Sequence, residues 1–127
     1  LKMAQALHAP RVKMGALDGR LAMKHARHLV SWYGVAGMGG VLHTVNPRLF
    51  DDQLEYIVNH AEDKVLCYDA AFQPIVDRMK PRWHTVEHYI CYDSGEHSPA
   101  FEDWIAAHDG QFEWVTGAET DPCMICY

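Results

Sequence analysis

The sequence predicts an α/β fold in which helices alternate with strands of a mainly parallel sheet. Segments with helical apolar spacing recur, and short apolar runs rich in β-branched and aromatic residues lie between them. Three of these runs start at residues 41, 65 and 86, little more than twenty residues apart. This rhythm is typical of βαβ units. The 127 residues have room for one domain.

The most regular predicted helix covers residues 51–63. Its apolar positions fall at i, i+3, i+4 and i+7, which places them on one helix face: Leu54, Ile57, Val58 and Ala61. Asp51 and Asp52 lie in the first turn, where carboxylates face the positive end of the helix dipole. A second helix is predicted over residues 72–79, because the same spacing returns at Phe72, Ile75, Val76 and Met79. Pro74 is tolerated because it falls in the first turn, and Pro81 ends the helix.

Two further helices are predicted from end signals and from spacing. Residues 98–110 begin with Ser98 as cap and Pro99 as the first helical residue, and end near Gly110. This segment is predicted to bury Phe101, Trp104 and Ile105. Residues 25–38 form the other helix, and we expect its inward side chains to be Ala26, Leu29, Val30 and Tyr33. Gly34 and Gly37 weaken this helix, so they predict close backbone packing.

The predicted strands cover residues 41–45, 64–68, 86–92 and 123–127. Residues 112–115 form at most a short strand. The first twenty residues are poorly placed by pattern alone. Residues 1–7 fit the end of a helix, whereas Gly15, Asp18 and Gly19 indicate a turn, and no strong strand precedes residue 25.

Charge and composition exclude several classes of protein. Eleven Lys and Arg against 17 Asp and Glu give a net charge of −6, which disfavours binding to nucleic acid. The densest basic group, Arg78, Lys80 and Arg82, is interpreted as a solvated helix end.

Residues 29–47 lack charge, but glycines and polar residues interrupt them, so a helix followed by a strand is predicted instead of a transmembrane segment. Four cysteines and the absence of a recognisable secretion signal predict a cytoplasmic protein.

No side chain pattern identifies a catalytic, cofactor-binding or metal-binding residue. Cys123 and Cys126 form C-x-x-C but lack a second ligand pair, so buried structural cysteines are the favoured interpretation. His25 and His28 share a helix face without an accompanying metal motif, and the other seven histidines are interpreted as surface or cap residues. The glycines at positions 34–40 end a helix, whereas a dinucleotide-binding loop would begin one.

Two adjoining runs carry a family resemblance. Residues 37–50 read Gly-Met-Gly-Gly-Val-Leu-His-Thr-Val-Asn-Pro-Arg-Leu-Phe, and residues 53–66 read Gln-Leu-Glu-Tyr-Ile-Val-Asn-His-Ala-Glu-Asp-Lys-Val-Leu. Together they closely resemble AMP-forming fatty-acyl-CoA synthetases of the adenylate-forming superfamily. Shorter similarities occur at residues 25–29, 32–35, 85–90 and 101–104, and the resemblance covers residues 21–127.

The resemblance implies that residues 1–127 are an incomplete part of the large N-terminal domain of an acyl-CoA ligase. Such a ligase activates a fatty acid with ATP and Mg²⁺ to an acyl adenylate, and then transfers the acyl group to CoA. Residues 121–127 resemble the strand before the nucleotide loop, so that loop is expected immediately after Tyr127. The chain alone is therefore expected to be an inactive scaffold. Its implied partners are the fatty acid, the remainder of the polypeptide and a second copy in a homodimer.

The sequence departs from the family pattern at three places. Asp51 stands where the family often has Pro, and Lys24 stands where Asn is usual. A Gly-Asp-Arg-Val strand entrance is expected near residues 14–21, but residues 15–21 read Gly-Ala-Leu-Asp-Gly-Arg-Leu. Two alternative functions stay open. One is a flavodoxin-like or receiver-like binding module, for which only Asp69 resembles a phosphoacceptor, and the other is a Cys/His metal protein.

Overall fold

Helices and strands alternate along the chain, and the five strands form one parallel sheet. The computed structural model describes residues 1–8, 17–23, 25–93 and 100–127. The elements are α1 Lys2–His8, β1 Leu17–Leu21, α2 Ala26–Gly37, β2 Val41–Thr44, α3 Asp51–Ala61, β3 Val65–Tyr68, a 3₁₀ turn Ala70–Phe72, α4 Gln73–Met79, β4 His88–Cys91, α5 Phe101–Ala106 and β5 Met124–Cys126. The strand order is β4-β3-β1-β2-β5. The predicted α/β class is confirmed.

Most predicted elements form where the pattern placed them. All four predicted strands are present, as β2, β3, β4 and β5, and α3 and α4 match the two most regular helical segments. Residues 112–115 contain no strand. The helix predicted from residue 98 begins at Phe101, with Ala100 as its cap, and ends at Ala106, before Gly110. Ser98 and Pro99 lie outside the described residues, as do Gly15 and Lys24.

Each face of the sheet is covered by a separate helix layer. One buried cluster joins α1, α2 and α5 to strand residues such as Leu42 and Ile90. The other joins α3 and α4 to Leu66 and Tyr68. Leu66 belongs to the second cluster, whereas its neighbours Val65 and Cys67 belong to the first. This is expected because successive side chains of a strand point to opposite faces of the sheet. Each fully buried aliphatic side chain contributes about 1.5–3 kcal/mol to folding.

Helix α3 buries the predicted stripe, since Leu54, Ile57, Val58 and Ala61 are all buried. At its start the Gln53 side chain accepts a hydrogen bond from the Phe50 N–H at 3.1 Å. The carboxylates of the first turn bind the end of α4 instead of the helix N–H groups: Asp51 pairs with Arg78, and Asp52 pairs with Arg82. The basic group at that helix end is thus partly exposed, as predicted, and its two arginines are ion-paired.

The inward face predicted for α2 is wrong. Leu29, Val30 and Tyr33 are 52%, 48% and 68% exposed, whereas Ser31, Gly34 and Val35 are buried. The helix turns its small residues inward because α1 packs directly against them. A Cβ on Gly34 would lie 2.5 Å from Met3 Cγ. A Cβ on Gly37 would lie 1.7 Å from the Trp114 ring, so close packing is confirmed at both glycines.

The turn predicted at Asp18 and Gly19 is also wrong, because Leu17–Leu21 is the central strand of the sheet. It pairs with β2 on one side and β3 on the other. Asp18 and Arg20 are both buried there, and their side chains bond to each other at 2.8 Å. Mutual neutralisation lets two charged residues occupy a strand interior that their local propensities disfavour.

The uncharged segment forms a helix followed by a strand, as predicted. Residues 29–37 belong to α2 and residues 41–44 to β2. Within the described parts of the chain, no helix has both the length and the apolar character needed to cross a membrane.

Candidate functional site

The carboxyl edge of the parallel sheet is the candidate site, because ligands of open α/β sheets bind where strand order reverses. Strand β1 is followed by β2 on one side, and β3 then pairs on the other side of β1. The reversal therefore lies between β1 and β3. The residues that follow the strands at this point include Met23, His25, Asp69 and Asp93.

This reversal point is closed by the chain's own side chains. Asp69 accepts a hydrogen bond from the Met23 N–H at 2.6 Å and contacts His25 Nε2 at 2.6 Å. His25 Nδ1 accepts from the His28 N–H at 3.3 Å, so Nε2 carries the proton and donates it to Asp69. His25 is thus the cap of α2. Across the described ranges, no three His, Cys, Asp or Glu side chains are grouped so that they could hold a metal ion.

The charges on the outer rim are paired with one another. Arg27 Nε donates to Glu102 at 2.9 Å, and its NH1 lies 3.4 Å from an Asp93 oxygen. The other Asp93 oxygen accepts from the Ala70 N–H at 2.8 Å. The Glu102 carboxylate raises the pKa of Arg27, which stays a cation. These pairs connect the ends of β3 and β4 to α2 and α5.

A buried polar network lies beneath the closed point. Arg20 donates to Asp18 at 2.8 Å and to the Tyr92 hydroxyl at 3.0 Å, and that hydroxyl donates to Ser31 Oγ at 2.9 Å. Burial raises the pKa of the Asp18 carboxyl, and Arg20 offsets part of the rise. Burial also raises the pKa of the Cys67 thiol, which is therefore no thiolate nucleophile. This network joins elements and offers no reactive group.

The edge between β2 and β5 is built differently. Tyr127 directly follows β5, and its hydroxyl lies 2.6 Å from His60 Nδ1 of α3. The Tyr127 ring lies 5.2 Å from the His43 ring, measured between centroids. A groove of about 360 Å³ opens beside it, lined by Leu49, Asp52, Gln53, Tyr56, Ile57 and Tyr127. Tyr127 therefore forms one wall of an accessible groove at the carboxyl edge.

A buried His–Asp pair lies behind Tyr127. His43 Nδ1 and Asp63 Oδ2 are 2.7 Å apart, and both side chains are fully buried. Burial raises the pKa of Asp63 to about 6, although the hydrogen bond from His43 opposes the rise. Gly19 of β1 makes room for this carboxylate, because a Cβ there would lie 2.7 Å from Asp63 Oδ2. The interpretation of His43 as a surface or cap residue is wrong.

Comparison with known protein families matches residues 1–127 to the family described as AMP-binding enzyme. The chain belongs to the AMP-binding enzyme family. The resemblance identified from residues 37–66 is thereby confirmed.

The curated relatives of this AMP-binding enzyme chain are CoA ligases. It is 40% identical over 115 residues to a 3-methylmercaptopropionyl-CoA ligase of Ruegeria pomeroyi, covering 84% of the chain and 21% of the relative. It is 40% identical over 119 residues to a long-chain-fatty-acid–CoA ligase of Thermus thermophilus, covering 94% and 20%. A medium-chain-fatty-acid–CoA ligase of Ectopseudomonas oleovorans is 33% identical, covering 99% and 24%. The chain thus spans about a fifth to a quarter of their length.

Solved structures share the fold of this AMP-binding enzyme chain. Anthranilate CoA ligase AuaEII, in complex with anthranoyl-AMP, superposes with a TM-score of 0.89 at 23% identity, over 97% of this chain and 24% of that one. A Mycobacterium tuberculosis fatty acyl CoA synthetase gives 0.87 at 22% identity, over 99% and 24%. The predicted placement in the N-terminal domain of an acyl-CoA ligase agrees with these superpositions at the level of the fold.

The cysteines of the AMP-binding enzyme chain differ from their prediction. Cys123 and Cys126 are exposed, whereas Cys67 and Cys91 are buried, so the C-x-x-C pair is not a buried structural one. β5 begins at Met124, directly after Cys123. An extended chain from Cys123 to Cys126 spans about 10 Å, which is farther than a disulfide can bridge.

Asp69, the phosphoacceptor of the receiver alternative, is buried and bonded to Met23 and His25. Neither alternative function gains support.

Proposed function

We propose that these 127 residues supply scaffold to the N-terminal domain of an acyl-CoA ligase. The observation that carries this proposal is the match of the whole chain to the AMP-binding enzyme family, with CoA ligases as its curated relatives. In the proposed first step, an oxygen of the carboxylate attacks the α-phosphorus of ATP and pyrophosphate leaves. In the second step, the CoA thiol attacks the acyl carbon, loses its proton and displaces AMP.

The substrate class in this proposal is an aliphatic carboxylic acid. The relatives are named for three different acids, a methylmercaptopropionate, long-chain fatty acids and medium-chain fatty acids, and all are CoA ligases. ATP and CoA are the other two substrates. The rim carboxylates Asp93 and Glu102 are engaged by Arg27, and the described residues contain no group of three or more His, Cys, Asp or Glu side chains that could hold a metal ion. In this proposal Mg²⁺ travels with the triphosphate and is not held by these residues.

The described residues act as framework in this proposal. The reversal point is filled by the Asp69–His25 contact, and the charged rim is neutralised, so both stiffen the edge instead of binding substrate. Tyr127 marks where β5 reaches that edge, and we propose that the nucleotide loop follows it. The chain alone is then inactive.

Partners and location are part of the same proposal. The exposed apolar side chains of α2, Leu29, Val30 and Tyr33, suit an internal contact with further polypeptide of the ligase. A homodimer and a cytoplasmic location complete the proposal. The location is supported by four cysteines that all carry free thiols.

Acid-dependent ATP–pyrophosphate exchange tests the proposed activity. The complete polypeptide encoded by the gene is assayed with fatty acids of graded length, and CoA is then added to follow thioester formation. We expect exchange that requires the acid and thioester that requires CoA, and no exchange from the 127-residue chain. A complete polypeptide without acid-dependent exchange would contradict the ligase activity. Exchange by the 127-residue chain alone would contradict the scaffold role.

A further inference from the structure

The His25 imidazole is anchored through one of its two ring nitrogens. Nε2 lies 2.6 Å from Asp69 Oδ1, and the other Asp69 oxygen accepts a hydrogen bond from the Met23 N–H at 2.6 Å. The His25 and Tyr92 rings meet edge to face, with 5.4 Å between their centroids, and Tyr92 is buried. A carboxylate and a buried aromatic ring therefore fix the orientation of the imidazole.

The other ring nitrogen caps helix α2. Nδ1 accepts a hydrogen bond from the His28 N–H at 3.3 Å, and the backbone of His25 is extended, with φ of −145° and ψ of 178°. The residues preferred at such a position are Ser, Thr, Asp and Asn, whose oxygens go on accepting at mildly acidic pH. An imidazole accepts only while its nitrogen is unprotonated. The first turn of α2 is therefore capped by a group that acid can remove.

Protons from solvent can reach this ring. The His25 side chain is 31% exposed and lines a groove of about 460 Å³. Because Nε2 already carries a hydrogen toward Asp69, an added proton binds Nδ1, where it faces the His28 N–H as a second donor. The imidazolium also brings a positive charge to the positive end of the α2 dipole. Protonation of His25 thus opposes the first turn of α2 in two ways.

The charged groups near the ring determine how it responds to acid. The titratable groups around the ring and Asp69 are Arg20 of β1, Arg27 and His28 of α2, Cys91 of β4, Tyr92 and Asp93 after β4, and Glu102 of α5. Arg20 is paired with Asp18, and Arg27 is paired with Glu102 and Asp93. Asp69 contacts the ring directly, so it attracts the imidazolium and keeps the ring in place. The contact that protonation breaks is therefore the cap.

We propose that His25 is a proton-sensitive latch. Its neutral imidazole closes the first turn of α2 beside the reversal point between β1 and β3, and its imidazolium releases that turn while Asp69 still holds the ring. Mild acid then loosens the carboxyl edge of the sheet at the point where open α/β sheets bind ligands. The latch does not depend on the proposed ligase function, because every group in it belongs to the described residues.

Histidine labelled with nitrogen-15 in ring and backbone reports both halves of the latch in one sample. The complete polypeptide encoded by the gene is studied by NMR, and His25→Asn and His28→Gln identify the two residues by the signals that they remove. At about pH 8 we expect the neutral His25 ring to carry its proton on Nε2. As the ring titrates toward about pH 5, hydrogen exchange of the His28 amide, relative to an unprotected amide at the same pH, should rise about two- to thirtyfold.

The wild-type titration alone can overturn the inference. His28 exchange that stays constant while His25 titrates would do so, because the cap would then not depend on the ring. A His25 ring that stays neutral down to about pH 5, or that carries its proton on Nδ1 at about pH 8, would also overturn it.

His25→Asn keeps a cap and removes the titration, because the Asn oxygen accepts from the same helix N–H throughout this pH range. Relative exchange at His28 should then be constant. His84→Asn is the matched control, since His84 is exposed and its N–H bonds to Asn59 of α3, away from α2. It should keep the wild-type pH dependence. A pH dependence that persists in His25→Asn, or that disappears in His84→Asn, would overturn the inference.

Asp69→Asn provides a second variant if His25→Asn does not fold. Without the carboxylate the imidazolium loses its attraction, so the midpoint of the rise in His28 exchange should move to lower pH by about one unit. A midpoint that does not move would overturn the role of Asp69 in the latch.

Discussion

Two buried polar pairs lie on opposite faces of β1, and they are connected to the rest of the molecule in different ways. Asp18 and Arg20 face the α2 layer, and Arg20 also bonds to the Tyr92 hydroxyl. Between them, Gly19 leaves space on the α3 side for the His43–Asp63 pair. The first pair continues through Tyr92 to Ser31, inside the fold. The second pair ends beside Tyr127, at the open edge.

The first pair is bonded to other elements of the fold, whereas the second pair ends beside Tyr127. The Arg20 network joins β1 to α2 and to the end of β4, so its removal should affect stability first. The His43–Asp63 pair leaves a nitrogen without a partner among the residues that the structure describes, beside a residue at the carboxyl edge.

The largest expected effect is the loss of the Arg20 side chain. Arg20→Met leaves the Asp18 carboxylate buried without its cation, and we expect the free energy of unfolding to fall by about 3–5 kcal/mol. Urea unfolding followed by tryptophan fluorescence measures it. The double variant Asp18→Leu/Arg20→Met should recover most of the loss, because no charge is then left unpaired. A single variant within about 1 kcal/mol of the wild type would contradict a structural role for this pair.

The second effect is a pH dependence that belongs to Asp63. Burial raises its pKa from 3.8 to about 6, so the folded chain holds a proton that the unfolded chain has lost between these values. The free energy of unfolding should therefore decrease as pH rises from about 4 to 6, by at most about 3 kcal/mol. Asp18, whose pKa is also raised, contributes with the same sign.

The variant Asp63→Asn isolates the contribution of this group. Its unfolding free energy is measured across the same pH range and subtracted from that of the wild type, which cancels Asp18 and the surface carboxylates. The difference should be constant above pH 6 and should change through the window below it. A flat difference would show that Asp63 titrates normally in the folded chain.

The third effect concerns the space that Gly19 provides between the two pairs. Gly19→Ala brings a Cβ within 2.7 Å of Asp63 Oδ2 and 3.0 Å of a Leu66 methyl group. We expect a loss of about 1–3 kcal/mol, the usual cost of overpacking. In an Asp63→Ser background the added methyl group has more room, so the double variant should lose less than the sum of the single variants. Additive losses would mean that the contact with Asp63 does not limit this position.

The sequence predicted those elements whose local pattern agrees with their tertiary environment. Helix α3 is regular because its apolar stripe and its acidic first turn both favour a helix there. The central strand was missed because Asp18-Gly19-Arg20 has local turn chemistry, and only pairing within the core overrides that preference. The inward face of α2 was missed because glycine and serine pack through close backbone approach, which apolar spacing does not register.

The candidate site was less predictable than the fold, because its residues come from separated parts of the chain. His43 and Asp63 are twenty positions apart, and nothing local marks them as partners. One signal was present: a histidine inside the apolar run 41–45 is placed where a strand is buried. Pairing the strands would have brought this histidine opposite a glycine, which is the position that admits a carboxylate.

The smallest expected effect concerns the surface pairs between α3 and α4, which resemble the buried pairs only in their geometry. Arg78 binds both oxygens of Asp51, at 2.8 and 2.9 Å, but its side chain is about half exposed. Water and salt screen such a pair, so Arg78→Gln should shift the midpoint of thermal unfolding less than Gly19→Ala does. In about 1 M salt, where screening acts within about 3 Å, the shift should disappear. A shift that persists in high salt would mean that Arg78 stabilises the fold by packing its aliphatic stem. Exposure alone would then not distinguish the surface pairs from the buried pairs.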